Sequence, residues 1–240
     1  MTQDGYNVGD EIEVRVEKIV PRGLGLAFAE KLTVFVPLAA AGDRVRVRIT
    51  DLKKRTAFAD IVEIIEPSLV RTEPACQYFG TCGGCDFQQM TYEAQLAAKI
   101  DIIRDCLQRI GKVDFAGEIR IVPSPSPLGY RSRAKWHVDR DERKIGYFGR
   151  YSHDVVDVEI CPILTPPLQG ELMRLRGNIE FETMWSDALE IEAASGDDGQ
   201  VSTYSAELME PTAEISFTAH DERYKFSARS FFQGNQLLIG

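Results

Sequence analysis

The chain has 240 residues, 44% of them hydrophobic and 27% charged, the proportions of an ordinary globular protein and not of a disordered or collagen-like one. That length exceeds a usual single domain and points to two compact units, while no run of 18 apolar residues offers a membrane span. The net charge of -9 conceals a division, because residues 1–150 sum to +2 and residues 151–240 to -11, so a face for a polyanion is expected in the first part.

The N-terminus, MTQDGYNVGDEIEV, has no basic stretch followed by an apolar one. No secretory signal is therefore expected, and a reducing cytoplasm is the expected compartment. Residues 1–66 then read as short alternating segments between turn signals, the pattern of a small antiparallel OB-like barrel. EIEVRVEKIV turns Ile12, Val14 and Val16 inward, LGLAF and LTVFVP form a tight pair after the bend of PRGLG, and AFADIVEII closes the set. RVRVRIT alternates Val45, Val47 and Ile49 against Arg44, Arg46 and Arg48, so three guanidinium groups share one strand face. Lys53, Lys54 and Arg55 follow, and residues 43–58 hold six basic groups against two acidic ones. Arginines can merely solvate the outside of a barrel, but clustered cations are also what phosphate tracking requires. This pattern, placed before a cysteine cluster, resembles the TRAM domain, an RNA-binding barrel of RNA-modifying enzymes.

CQYFGTCGGCDFQQ, residues 76–89, contains Cys76, Cys82 and Cys85 at spacings Cys-x5-Cys-x2-Cys, and Cys161 stands far downstream in EICPIL. Three clustered thiols plus a remote one before a proline look more like an iron-sulfur arrangement than the paired knuckles of zinc, although zinc and unliganded buried cysteines remain open. Gly83 and Gly84 would let the backbone curl and aim N-H groups at sulfur. Next, Leu96, Ile100, Ile103, Leu107 and Ile110 recur at helical spacing over residues 92–110, with Cys106 at the edge of the stripe as a small hydrophobe and Gly111 as the stop.

YRSRAKWHV sets Arg131, Arg133 and Lys135 on one strand face, and IGYFGRYSH adds Tyr147, Phe148, Arg150 and Tyr151. Interleaved cations and aromatic rings suit a splayed RNA loop, whose bases stack while its phosphates are held; a solvated sheet face is the alternative. His137, His153 and His220 have no ligand spacing and read as structural or surface residues. Beyond Cys161 an acidic region follows, with a helix from Pro167 to about Arg176 and strands around ALEIEAA, QVSTYSAEL, AEISFTA and RYKFSAR, two of them parted by the turn GDDGQ.

CQYFGTCGGCDFQQ, the remote ICPIL, and GYRSRAKWHVD with KIGYFGRYSHDVVDV between them resemble the RNA (uracil-5-)-methyltransferase family, in order along nearly the whole chain. The resemblance implies a 4Fe-4S cluster on Cys76, Cys82, Cys85 and Cys161, shaping the fold and the RNA surface without electron transfer in the methylation. SARSFFQGNQLLIG resembles the family's Phe-Phe-Gln-x-Asn element, which makes Gln233 a contact for S-adenosylmethionine. Glycine-rich strand-loop-helix patterns of the methyl-donor type are not found in the 240 residues, and no cysteine is left for a nucleophile.

The resulting expectation is a mainly β protein with some α. A TRAM-like barrel spans 1–66, and an α+β antiparallel-sheet domain with the iron-sulfur and RNA sites spans 67–228, its helix 92–110 set against a catalytic domain. Residues 229–240 would begin a Rossmann-like methyltransferase domain that is missing or only begun. Such a chain is expected to be the monomeric RNA-recognition portion of an S-adenosylmethionine-dependent uridine C5-methyltransferase. Its target would be 23S rRNA or, second, tRNA, and it would be inactive by itself. The rival readings are a stand-alone RNA-binding iron-sulfur module and a zinc-stabilised adaptor.

Overall fold

The computed structural model describes residues 5–207 and 210–239; residues 1–4 of the expected barrel, Leu208 of the expected strand QVSTYSAEL, and Gly240 lie outside them. The chain divides into two compact units, residues 1–80 with 85–123 and residues 81–84 with 124–240. The boundary expected after residue 66 is displaced, because the segment that follows the barrel strands is fastened to the barrel.

In the first unit β1 (Glu11–Val20), β2 (Leu24–Ala29), β3 (Leu32–Val36), β4 (Arg44–Lys53) and β5 (Thr56–Glu66) close a barrel in the order β1-β2-β3-β5-β4. β3 and β5 run parallel, so the barrel is not wholly antiparallel. Alternation puts Val14, Val16, Val34, Val36, Val45, Val47 and Ile49 in its interior, each worth about 1.5–3 kcal/mol on full burial. The PRG bend is a short 3-10 turn in which Arg22 and Gly23 take φ values of 69° and 68°. Beneath the barrel the carboxylate of Asp43, fully buried, accepts from the N-H groups of Ala40 (2.7 Å) and Ser68 (2.8 Å) and from Arg71 Nη2 (2.6 Å). This buried ion pair ties the chain after β5 to the barrel.

Helix α1 (Tyr92–Arg109) starts at Thr91, whose Oγ1 accepts from Ala94 N-H at 3.4 Å. It packs Ala94, Ala98 and Ile102 onto Ile19, Ala40 and Met90, so its partner within the described residues is the barrel's own unit. Of the expected stripe, Ile103 is 46% and Ile110 79% exposed, while Leu96, Ile100 and Leu107 are half-buried, as are Ala94, Ala98 and Ile102. The helix stops at Ile110, and the left-handed residue is Lys112 (φ 54°), not Gly111.

In the second unit β6 (Arg133–Asp139), β7 (Lys144–Phe148), β8 (Val155–Asp157), β9 (Ala188–Ser195) and β10 (Val201–Ser205) form an antiparallel sheet in the order β10-β9-β6-β7-β8. Helix α2 (Pro166–Asn178) buries Leu168 and Leu172, and β11 (Ile215–Ala219) pairs with β12 (Glu222–Phe226). Trp136 is fully buried on β6 and donates its indole N-H to the Tyr147 hydroxyl at 3.2 Å. Residues 229–239, expected to open a new domain, instead close this unit. Ser132 N-H bonds the carbonyl of Gly234 at 2.8 Å, Gln236 N-H bonds that of Tyr130 at 3.1 Å, and Phe232 stacks on Phe226 with ring centres 4.1 Å apart. Among the described residues no helix is long and apolar enough to cross a membrane.

Candidate functional site

On the barrel, β4 lies between β1 and β5, and both neighbours carry carboxylates on the face that displays the arginines. Register sets Glu11 opposite Arg48 and Glu13 opposite Arg46 on one side, and Glu66 opposite Arg44 and Glu63 opposite Arg46 on the other. Arg44 pairs with Glu66 (2.8 Å) and Glu13 (3.0 Å), Arg46 with Glu63 (2.6 Å), and Arg48 with Glu11 (2.6 Å). Hydrogen bonds to Glu66 and Glu13 hold Arg44 above the usual guanidinium range, and the bond from Arg44 holds Glu13 below the usual carboxylate range. The three arginines thus form a neutralised ladder on the barrel's outside, which weakens its pull on phosphate. Lys53 pairs with Asp51 at 3.1 Å. Lys54, left-handed at φ 56°, stands exposed at the turn and makes no ion pair among the described residues.

In the second unit Arg131, Arg133, Lys135, Tyr147 and Glu192 line an open pocket of about 330 Å³. Lys135 Nζ reaches Glu190 at 2.9 Å and Glu192 at 3.8 Å, and the Glu190 bond holds it above the usual ammonium range. Arg133 donates to the carbonyl of Ala228 at 2.9 Å and to that of Ser230. Arg131, half-buried, makes no ion pair among the described residues. Phe148 is stacked by His137, ring centres 3.5 Å apart, with His153 against it edge-on. One face of Phe148 is therefore taken. Burial holds His137 below the usual imidazole range. The Arg150 guanidinium lies 5.6 Å from the Tyr151 ring centre.

Of the thiols, Cys76 and Cys85 belong to the first unit and Cys82 and Cys161 to the second. Cys161 is buried, the other three are half-buried, and none forms a disulfide. Among the described residues no three His, Cys, Asp or Glu side chains are grouped to hold a metal ion. The local surroundings of the thiols nonetheless suit a soft metal centre in chemistry. Gly84 N-H points at Cys82 Sγ, 3.4 Å away, as N-H donors do at ligating sulfur. Gly83 donates to the carbonyl of Phe148 at 2.9 Å, and a Cβ there would sit 3.1 Å from that oxygen, so a side chain at this place would press on the backbone of β7's end. In the same unit Cys161 lies beside the Tyr147 hydroxyl, which burial first and then this sulfur push far up. The end of β7 therefore holds both the 82–84 loop, through Phe148 and Gly149, and the surroundings of Cys161. Cys161 N-H is further fixed by Gln169 Oε1 (2.8 Å), and Cys76 N-H by Gln88 Oε1 (3.1 Å).

Gln233 is exposed, and its carbonyl accepts from Ser132 Oγ at 3.2 Å. A side chain at Gly234 would meet open space. The carboxylates that neutralise both ladders were missed from sequence. For the barrel the signal was present, since Glu11 and Glu13 alternate in EIEVRVE as regularly as the arginines do in RVRVRIT.

Residues 6–62 match the TRAM domain. An RNA methyltransferase of uncharacterised specificity from Thermosynechococcus vestitus is 34% identical over 173 residues, 71% of this chain and 38% of the relative. The 23S rRNA (uracil(1939)-C(5))-methyltransferase RlmD of Methylococcus capsulatus is 32% identical over 209 residues, 85% of this chain and 47% of the relative. The chain thus spans less than half the length of these two curated relatives. Among solved structures, the tRNA (uracil-54, C5)-methyltransferase of Pyrococcus abyssi, in complex with S-adenosyl-L-homocysteine, is similar in fold. Its TM-score is 0.67 at 21% identity, covering 93% of this chain and 62% of that one. This likeness corrects the expectation of a methyltransferase domain missing or only begun. It runs over nearly the whole chain, and the segment taken for the start of a separate domain is built into the second unit's sheet.

Proposed function

We propose, from the premise that the chain belongs to the RNA (uracil-5-)-methyltransferase family, that its residues grip RNA for S-adenosylmethionine-dependent methylation at carbon 5 of a uridine. The carrying observation is the open pocket lined by Arg131, Arg133, Lys135, Tyr147 and Glu192, in which Arg131 makes no ion pair among the described residues, a cation available to an RNA phosphate. Its substrate in this reading is 23S rRNA, as for the RlmD relative, with tRNA second, as for the Pyrococcus enzyme. The protein works as a monomer in the cytoplasm.

Carbon 5 of uracil takes a methyl group only after a thiolate adds at carbon 6 to give an enolate, which attacks the sulfonium methyl and releases S-adenosylhomocysteine; a base then removes the proton at carbon 5 as the thiolate is expelled from carbon 6. The uridine must first leave its stack. We assign these residues the holding of the RNA, with Gln233 as a cofactor contact. Arg131 would hold a phosphate, and Arg133 and Lys135 would contribute less, being engaged by the carbonyls of Ala228 and Ser230 and by Glu190; Arg150 with Tyr151 in the same unit, and Lys53 and Lys54 on the barrel, would be separate contacts. Arg44, Arg46 and Arg48 contribute less, being already paired. Cys76, Cys82, Cys85 and Cys161 would ligate a 4Fe-4S cluster, which supplies a cross-link between distant stretches of chain and no step of the reaction.

Two assays test this. Chain purified without oxygen is expected to carry iron and acid-labile sulfide and to retain a 23S rRNA stem-loop on a filter; zinc alone would contradict the cluster. Incubation of the chain and a 23S rRNA stem-loop with S-adenosylmethionine labelled at its methyl group tests the reaction: label at carbon 5 of a uridine is expected, and label on another base or position would contradict the reading.

A further inference from the structure

The second unit's pocket contains a carboxylate among its cations. Register places Lys135 on β6 directly opposite Glu192 on β9, with Arg133 one alternation away on the same face. The Glu192 carboxylate sits between them and turns one oxygen to each, 3.9 Å from Arg133 Nη2 and 3.8 Å from Lys135 Nζ. Neither distance is that of a hydrogen bond, so both oxygens keep acceptor capacity toward the pocket that Glu192 lines. Glu190 pairs with Lys135 at 2.9 Å. Two cations against two carboxylates leave this wall without net charge, and Arg131, which also lines the pocket, makes no ion pair among the described residues.

A wall without net charge has little pull on phosphate and instead reads the hydrogen-bonding edge of a neutral base, as proteins do with the unstacked bases of RNA loops. The carboxylate can only accept, and the groups on either side of it can only donate. Arg133 is fixed by the carbonyls of Ala228 and Ser230 and Lys135 by Glu190, which leaves further N-H groups on both. Along the wall the order is therefore donor, acceptor, donor. Uracil alone among the RNA bases shows the complement on its pairing edge, a carbonyl on each side of the N3-H. Cytosine would turn an amine and two acceptors to the wall, and guanine would set its amine against the second cation. A volume of about 330 Å³ suits one nucleotide.

We infer that this pocket selects an unpaired uridine, with its N3-H given to Glu192, its two carbonyls to Arg133 and Lys135, and its phosphate to Arg131. The inference rests on the RNA-binding reading of the same pocket and adds base identity to it, with Glu192 as the discriminating group. The test is fluorescence anisotropy of the full chain with short fluorescein-labelled RNAs: oligouridine, oligocytidine, oligouridine methylated at N3, and alternating guanosine and adenosine. Oligouridine is expected to bind about tenfold tighter than the other three, the discrimination of a well-made base contact, and Glu192→Leu is expected to bind all four alike. Leucine leaves Lys135 paired with Glu190 and Arg133 on its carbonyls, so both cations keep their partners.

The N3-methylated RNA guards against a variant that fails to fold, because it removes the donor from the ligand and leaves the protein untouched. Equal binding of oligouridine and its N3-methylated form by the wild type would overturn the selection and leave the RNA-binding reading standing. A Glu192→Leu protein that keeps the uridine preference would do the same. Tightest binding of the guanosine-adenosine RNA would assign the carboxylate to a guanine edge, against the inference. Absence of binding to every one of these RNAs by the wild type would overturn both.

Discussion

The two cation ladders look alike in sequence and differ in the structure. Arg44, Arg46 and Arg48 stand on a strand flanked on both sides by partners, and each is paired: Arg44 with Glu13 and Glu66, Arg46 with Glu63, Arg48 with Glu11. Arg131, Arg133 and Lys135 stand on or just before β6. The carboxylates of β9 engage Lys135 and approach Arg133 at 3.9 Å, while Arg131 remains outside the pairing and beside Tyr147. A cation's availability to phosphate is therefore set by the strand next door and not by its own alternation. Exposed pairs of the first kind stabilise little, but they cancel charge that would otherwise attract RNA.

The comparison can be broken most severely by removing the scaffold of the first ladder. Asp43→Ala leaves Arg71 without its buried counterion and two N-H groups without an acceptor, and is expected to cost about 3–5 kcal/mol, read as a lowered urea midpoint. A shift well below 1 kcal/mol would mean that the ion pair is replaceable by water.

The comparison is sharpened by deleting one cation from each ladder. Arg131→Ala is expected to lower the slope of log affinity for RNA against log salt by about one, while Arg46→Ala leaves that slope nearly unchanged. Equal effects would contradict the distinction drawn here. Releasing a paired arginine gives a smaller and opposite change: Glu63→Gln is expected to strengthen RNA binding, by less than about threefold.

The smallest effect concerns pH. Burial holds His137 below 6.5 in the folded protein, so its neutral form is the one the fold favours. Its contribution to stability is complete above the unfolded value and is lost as the pH falls through the folded one. Melting temperature is expected to decline from pH 7 towards pH 5, and His137→Phe, which keeps a ring against Phe148, is expected to flatten that decline. An unchanged decline would place its cause elsewhere.

The barrel was legible because its strands alternate strictly and buried valines fall where period two puts them, as at Val45, Val47 and Ile49. The parallel pairing of β3 with β5 was not, since register between distant strands leaves no local mark. Helix α1 was legible as a helix and only partly in its packing. The stripe leaves out Ala94, Ala98 and Ile102, which pack on Ile19, Ala40 and Met90. Residues 229–239 looked like the opening of a new domain because their motif resembles one. Their backbone hydrogen bonds run back to residues 130–132, a pairing across about 100 positions that no local pattern encodes. For the cysteines, spacing suggested one centre, and the structure adds the Gly84 N-H contact to Cys82 and the burial of Cys161.

The measurement that bears most directly on RNA gripping is the affinity of the full chain for a 23S rRNA stem-loop across a salt series. Phosphate contacts by several cations release counterions, so log affinity is expected to fall linearly and steeply with log salt. An affinity that stays constant across the series, or binding that never rises above background at low salt, would contradict the account.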